Sequence, residues 1–318
     1  MDSRRNGSDG NEGGRPGHSV AGAVAKSLAC AAVAYSATCG FVALTLSRPK
    51  RVPFDETPDQ YGLVFEPVSF RSRVDGIPLD GWLLSRSPNA PSRRPVIMVH
   101  GMGSDRQHEA GGAALRIAAN LVRDGHPVLL FDLRGSGRSG GRHFTLGAEE
   151  VRDVGGAIDF LAERGLASKG VNLLGYSMGA SIALLAGAVE PLVRAIAEDS
   201  GFADLDDLLE VHLPRMSHLP GFFTPGVVFA VRSLLGIDVH AIRPIEAAPR
   251  LAARGVPLLV LHGDSDTLVP ISHGHRLAAA YGPTAETLFV PGAEHVVSYA
   301  TDPAGYLERL TDFFDHTE

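Results

Sequence analysis

Short apolar runs alternate with segments of helical period over most of the chain. The apolar runs predict strands buried on both faces of a sheet, at residues 95–99, 127–131, 171–174, 193–197, 256–261 and 287–290. Between these runs, apolar residues recur on one helical face, as at Val151, Val154, Ile158 and Leu161, or at Ala114, Ala118, Leu121 and Val122. Alternation of strands and helices predicts an α/β fold, with a mostly parallel central sheet and helices on both of its faces.

The sheet is expected to start with a hairpin. Two alternating runs flank Val74-Asp75-Gly76, a pattern typical of two antiparallel strands joined by a tight turn. A Pro-containing segment precedes them, and we interpret residues 48–66 as a linker to a globular domain over residues 67–318. Residues 1–19 are rich in Gly, Arg, Asn and Asp, which predicts a disordered tail.

An uncharged apolar run lies between the tail and the linker. Residues 27–46 carry no formal charge, and as a helix they would be about 30 Å long, the thickness of a bilayer core. We therefore predict a single-pass transmembrane anchor within residues 20–47. The alternatives are a cleaved signal peptide, whose apolar region usually has about 7 to 15 residues, and a buried core helix. Four cationic residues precede the run and three follow it, so its orientation stays open.

Composition and charge exclude several classes of protein. With 318 residues, of which 44% are apolar, the chain can bury a large core. The net charge of −7 combines +4 up to Arg51 with −11 beyond it, and so acidic a body is unsuited to binding nucleic acid. Cys30 and Cys39 are about 13 Å apart along one helix, which excludes a disulfide between them, and two cysteines are too few for a thiolate zinc site.

Ser177 is the candidate nucleophile. It is the serine of Gly175-Tyr176-Ser177-Met178-Gly179, which follows a predicted strand and precedes an apolar helix. In a sharp strand-to-helix turn the serine projects above the sheet, and glycines on both sides avoid clashes as the chain reverses. The alternative interpretation of this motif is a plain tight turn.

A serine nucleophile needs a base to remove its proton and an acid to orient that base. His295 and Asp266 follow Ser177 in the chain order Ser, Asp, His, each just beyond the carboxyl end of a predicted strand. Such ends of parallel strands are where sites form. Asp264 and Asp199 are the competing candidates for the acid.

Several motifs resemble those of the α/β-hydrolase superfamily, and within it of the membrane-tethered bacterial branch related to BEM46-like hydrolases and serine aminopeptidase-like esterases. His100-Gly101-Met102-Gly103 resembles the first oxyanion segment of that family, and residues 132–139 resemble its structural turn. Residues 262–270 and 292–295 resemble its acid and histidine loops. The resemblance implies an α/β-hydrolase fold, with the backbone amides of Met102 and Met178 as the oxyanion hole.

An insertion of more than fifty residues separates the strand near Asp199 from the strand near Val256, and it predicts a small helical cap at about residues 202–245. Its apolar residues are candidates for an acyl pocket or for a helix docked on the core. The predicted pocket residues are Leu213, Met216, Leu219, Phe222, Phe223 and Phe229.

These features together predict a serine hydrolase that cleaves carboxylic esters through an acyl-enzyme, with lipid-like substrates favoured by the anchor. A thioesterase or an aminopeptidase of the same fold is an alternative, and the latter would need an acid in the cap, such as Asp204, Asp206, Asp207 or Glu210. A non-catalytic receptor or scaffold is an alternative from another class. No metal and no organic cofactor is implied, and the partners expected are a small-molecule ester and a membrane.

Overall fold

The computed structural model describes residues 17–49, 51–86 and 93–318. The predicted tail lies outside the described residues up to residue 16, and a helix begins at Gly17, inside the range predicted as tail.

A single eight-stranded sheet forms the centre of the described part of the chain. Its strands are β1 Val64–Arg71, β2 Pro78–Ser85, β3 Val96–Val99, β4 Val128–Phe131, β5 Val171–Tyr176, β6 Val193–Asp199, β7 Leu258–Gly263 and β8 Glu286–Val290. Their order in the sheet is β1-β2-β4-β3-β5-β6-β7-β8. β2 is antiparallel to both of its neighbours, β1 and β4, and the pairs from β4 to β8 are parallel.

Each predicted run therefore lies on a strand, with ends that shift by one to two residues. The first strand begins at Val64, within the segment interpreted as a linker, and a 3-10 turn at Pro58–Tyr61 precedes it. Part of that segment is thus built into the sheet, because Phe65 pairs with Leu84 of the next strand and packs against a core cluster.

The α-helices in the described residues are α1 Gly17–Leu46, α2 Glu109–Gly112, α3 Ala114–Arg123, α4 Glu150–Glu163, α5 Met178–Gly187, α6 Leu205–Ser217, α7 Thr224–Leu235, α8 Ala247–Ala253, α9 Ser272–Tyr281, α10 Ser298–Thr301 and α11 Pro303–His316.

Helices cover both faces of the sheet, as the alternation of strands and helices predicted. Alternate residues of one strand face opposite cores, so that Ile97 and Val99 pack with α4 and α5. Val96 and Met98 pack with α3 and α11 on the other face. Strands buried in this way position their carboxyl-end loops rigidly, and the candidate site lies at these loops.

The insertion after β6 forms a helical cap built mainly from α6 and α7. Helix α1 packs against α7, and a small apolar cluster fills the contact between α1 and the cap. The buried members of this cluster are Cys39, Val42, Ala43, Leu213, Val227 and Ala230.

Helix α1 is long and apolar enough over Val20–Leu46 to cross a membrane. By length and composition it suits either a membrane span or a signal sequence near the N-terminus. Its cysteines are both free, with Cys30 exposed and Cys39 buried.

The carboxyl end of α1 is tied to the loop after β4. The Phe144 amide donates to the Ser47 carbonyl at 3.0 Å, and the Ser47 hydroxyl is 2.9 Å from His143 Nδ1. Arg51 then donates to the carbonyl oxygens of Gly137 and Ser139, at 3.0 and 2.8 Å. These contacts fix the end of α1 relative to the sheet.

Candidate active site

Ser177 lies on a strained turn between β5 and α5. Its backbone has φ 52° and ψ −118°, an unusual conformation for a residue with a side chain. The chain passes so close to its neighbours here that a Cβ at Gly179 would lie 2.1 Å from the Val99 carbonyl, and one at Gly175 would lie 2.4 Å from the Gly179 carbonyl. Only glycine fits at both positions, which is the steric reason for the motif.

Two hydrogen bonds join Ser177, His295 and Asp266 into one chain. His295 Nε2 is 2.8 Å from Ser177 Oγ, and His295 Nδ1 is 2.7 Å from Asp266 Oδ2. The three residues come from the turns after β5, β7 and β8, so parallel strands bring together residues up to 118 positions apart. This arrangement has the geometry in which an imidazole can take a proton from a hydroxyl while a carboxylate holds its tautomer.

Asp266 is held as a carboxylate. Burial raises the pKa of this group, but hydrogen bonding from His262 and His295 outweighs burial and keeps the pKa below its usual range. Its second oxygen, Oδ1, accepts hydrogen bonds from the amides of Leu268 and Val269, at 2.9 and 2.8 Å. Asp266 therefore stays charged at neutral pH and cannot rotate freely.

The two other candidates for the acid have different partners. Asp264 accepts a hydrogen bond from the Gly292 amide at 2.7 Å and braces the loop that carries His295. Asp199 is buried behind the turn, where its carbonyl accepts a hydrogen bond from the Ser177 amide at 2.8 Å. Burial raises the pKa of the Asp199 carboxyl to about 6. His295 Nδ1 is hydrogen-bonded to Asp266, and neither alternative acid takes that position.

Met102 and Met178 lie beside Ser177, and both line the same cavity. Met178 is the first residue of α5, so its amide lies at the positive end of a helix and lacks an acceptor within that helix. The Met102 loop is braced by its neighbours: His100 Nε2 accepts from the Leu133 amide at 2.9 Å, and Glu109 accepts from the Gly101 amide at 2.5 Å. From the sequence alone, Glu109 is not singled out as a residue that braces this loop. A lone glutamate in a sequence is usually solvated, so it gives only a weak indication of such a role.

The turn after β4 is held in place by several hydrogen bonds and a buried ion pair. Asp132 accepts hydrogen bonds from the amides of Arg106 and Arg138, and its carbonyl accepts from Ser139 Oγ at 2.6 Å. Arg134 is buried and pairs with Asp153 at 2.7 Å. These groups shape the loops around the site and do not line the cavity.

An apolar cavity of about 140 Å³ opens beside Ser177, beneath the cap. Of the six predicted pocket residues, Leu213 and Met216 line it. Leu219 and Phe223 instead pack against the cluster between α1 and α7. Phe222 and Phe229 are 66% and 70% exposed, so these four residues do not form the pocket. The face of α7 that lines the cavity carries Val227, Val228, Val231 and Leu235.

Two contributors to the cavity could not be found by motif. The end of α1 and the residue after it supply Ala43, Leu46 and Ser47, although they lie at least 130 residues before Ser177 in the chain. Helix α6 supplies His212, whose pKa is lowered by partial burial and by the nearby Arg215. A neutral imidazole keeps the cavity free of charge near neutral pH.

Comparisons with known proteins agree with the fold. Residues 94–225 match the family model described as alpha/beta hydrolase fold. An uncharacterized Mycobacterium tuberculosis protein, Rv2307c, is 28% identical over 244 residues, covering 76% of this chain and 77% of that protein. The 2,6-dihydropseudooxynicotine hydrolase of Paenarthrobacter nicotinovorans is 29% identical over 203 residues, covering 63% of this chain and 51% of that enzyme. A solved Pyrococcus furiosus esterase, Pf2001, superposes with a TM-score of 0.70 at 24% identity, covering 85% of this chain and 98% of the esterase.

The order of the strands, the reversed β2 and the family match together define the class of this protein. The chain has the α/β-hydrolase fold, and its residues 94–225 match the family model of that fold. This fold, together with the similarity to an esterase and a hydrolase, supports the interpretation of the protein as a hydrolase.

Proposed function

We propose that the protein is a serine esterase that cleaves carboxylic esters with apolar acyl chains. The observation that carries this proposal is the hydrogen-bonded chain from Ser177 through His295 to Asp266, which opens onto an apolar cavity. A charged or strongly polar acyl group would lose its hydration there without compensation. The specific branch of the superfamily belongs to this proposal as well, because the Mycobacterium tuberculosis relative Rv2307c is itself uncharacterized.

The reaction follows from the geometry. Ser177 Oγ attacks the ester carbonyl carbon while His295 Nε2 accepts the hydroxyl proton. The carbonyl oxygen becomes negative and is held by the amides of Met102 and Met178. His295 then returns the proton to the leaving alcohol, and the acyl group stays on Ser177. Water attacks this acyl-enzyme with His295 as the base, which releases the carboxylic acid and restores the serine.

The cap gives a reason to prefer esters over aminoacyl substrates. An aminopeptidase needs an acid to hold the amine of its substrate, and no acidic residue lines the cavity among the residues the structure describes. Asp204 pairs with Arg243 at 3.0 Å, and Asp207 pairs with Arg276. Asp206 is 2.7 Å from His240 Nδ1. These three candidate acids are thus engaged elsewhere.

A substrate panel tests the proposed class of reaction. The full chain in detergent should hydrolyse oxygen esters of graded acyl length, and Ser177→Ala should abolish this activity with little change in thermal stability. Preference for thioesters or for aminoacyl amides would replace the esterase proposal by one of those activities. Folded wild-type protein that turns over none of the three classes would favour a receptor.

A further inference from the structure

We propose that the last turns of α1 are part of the substrate site, so that this helix is an acyl-binding element as well as a candidate anchor. This inference rests on the proposed function, because it assigns the acyl group of the ester to the cavity. It starts from the lining of that cavity, to which the end of α1 contributes Ala43 and Leu46, followed by Ser47, while the loops of the candidate site contribute Met102 and Ser177.

The position of α1 is fixed by specific contacts. Tyr35 stacks on Phe223 with ring centroids 4.9 Å apart, and its hydroxyl donates to the Phe222 carbonyl at 3.0 Å. Gly226 of α7 lies so close that a Cβ there would be 2.6 Å from Cys39 Sγ. Because α1 packs this tightly against the cap, the part of the cavity wall at Ala43 cannot shift freely.

The sizes of the side chains at this part of the cavity wall set the width of the cavity. Ala43 is fully packed between the cap and the cavity, and a larger side chain there would occupy the space that an acyl chain needs. Leu46 is longer and partly buried, so shortening it would widen the cavity. The two positions should therefore shift the preferred acyl length in opposite directions.

The test compares Ala43→Phe and Leu46→Ala with Ala37→Phe, an exposed position on the same helix that does not line the cavity. Ala43→Phe should lower kcat/KM for a long-chain ester at least about tenfold while a short-chain ester changes little. Leu46→Ala should favour the longer or branched chains, and Ala37→Phe should behave as wild type. Unchanged chain-length profiles in Ala43→Phe and Leu46→Ala would overturn the inference.

A binding measurement separates this inference from the proposed reaction. A fluorescent long-chain fatty acid should bind to the Ser177→Ala protein, and adding Ala43→Phe should weaken its binding about tenfold. If the wild type hydrolyses no ester but this loss of binding is seen, the esterase proposal fails and the cavity assignment stands. If esters are hydrolysed but Ala43→Phe leaves fatty-acid binding unchanged, the assignment fails.

A second inference is carried independently by exposed aromatic and aliphatic residues on the cap. Phe222, Phe229 and Leu234 are 66%, 70% and 56% exposed. Phe222 and Leu234 lie beside Tyr35 and Gly40 of α1, and Phe229 follows Gly226, which faces α1, by about one helical turn on α7. Phe41 of α1 is exposed to a similar degree, at 70%. Apolar side chains clustered in this way mark an interaction surface.

The length of α1 indicates which partner covers this surface. Within the apolar span Val20–Leu46, residues 20–34 are exposed and precede Tyr35, which contacts the cap. As a helix these residues measure about 22 Å, which is short of the roughly 30 Å of a bilayer core. If α1 crosses the membrane, its cap-facing turns must also lie in lipid. We infer that the cap surface with Phe222, Phe229 and Leu234 is immersed in the bilayer beside α1.

Depth-dependent quenching tests this second inference. Phe229→Trp in the full chain, reconstituted into phosphatidylcholine vesicles with brominated acyl chains, should be quenched at least about twofold more strongly than Val189→Trp, an exposed apolar position far from the cap. The signal of the buried Trp82 in the unmodified protein gives the baseline. Equal quenching of the two variants would overturn the inference. Fluorescence of the Phe229→Trp variant that changes only with protein concentration would also overturn it, because a second copy would then cover the surface.

Discussion

Asp266 is the residue whose proposed role is most sharply defined by its hydrogen bonds. One oxygen accepts from two backbone amides, and the other faces His295 Nδ1. The carboxylate thereby requires the proton of a neutral His295 to sit on Nδ1, which leaves Nε2 free to accept the proton of Ser177. An amide in its place could direct an N–H at Nδ1 and favour the wrong tautomer.

Asp266→Asn should lower kcat for a short ester by roughly a thousandfold or more, since the geometry is kept and the tautomer is lost. Steady-state kinetics with Asp264→Asn and Asp199→Asn as matched controls checks this prediction. Both controls should retain most of the activity, because neither side chain contacts His295 Nδ1. A larger loss in either control would transfer the role of the acid to that residue.

Local sequence was enough to single out Ser177, His295 and three candidate acids. The glycines of the turn, the order Ser177, Asp266, His295 and their positions after strands are properties of short segments, and the structure joins these residues by two hydrogen bonds. The choice between Asp266, Asp264 and Asp199 needed three-dimensional structure. All three carboxylates lie at the same edge of the sheet, and only their partners distinguish them.

At the level of secondary-structure elements, α1 is the helix whose role changes most once its contacts are known. As an isolated sequence it predicts an anchor, whereas in the fold it covers apolar residues of the cap and lines the cavity. Which face of α7 meets the cavity depends on this packing. The residues of α7 could therefore not be assigned to the pocket from helical period alone, and Phe229 is the clearest example.

Removal of α1 should affect more than membrane attachment. A truncated protein that starts at Val52 would expose Leu213, Val227 and Ala230, which α1 covers in the full chain. We expect a lower melting temperature and stronger aggregation, with long-chain ester activity reduced more than short-chain activity per folded molecule. Thermal unfolding and a chain-length series check this. Wild-type stability and chain-length preference in the truncated protein would show that α1 is only a tether.

At the scale of the whole molecule, buried carboxyl groups make stability depend on pH. Glu198 of β6 is fully buried, and its Oε2 accepts from the Gly201 amide at 2.9 Å. Burial raises its pKa from 4.5 to about 7, although the nearby His262 opposes this. The unfolded chain loses this proton near pH 4.5 and the folded chain keeps it until about pH 7, so the contribution of Glu198 to stability falls as pH rises between these values.

Glu198→Gln removes this ionisation while its amide oxygen can still accept from Gly201. The melting temperature of the variant relative to wild type should therefore rise as pH increases from about 5 to 7.5 and then level off. The exposed Glu308→Gln serves as the control and should show no such trend. A constant difference between Glu198→Gln and wild type over this range would contradict the raised pKa. The pKa of Asp199 is also raised, so this residue adds a fall in stability with rising pH to both the wild type and the Glu198→Gln variant.

The central claim is that Ser177 is a nucleophile activated by His295, and covalent labelling tests it most directly. A fluorophosphonate probe should modify the wild-type chain at a single residue, which mass spectrometry of its peptides should identify as Ser177. His295→Ala should slow the labelling strongly, and Ser177→Ala should abolish it while the protein stays folded. Absence of labelling in folded wild-type protein, or an adduct on another residue that persists in Ser177→Ala, would contradict the account.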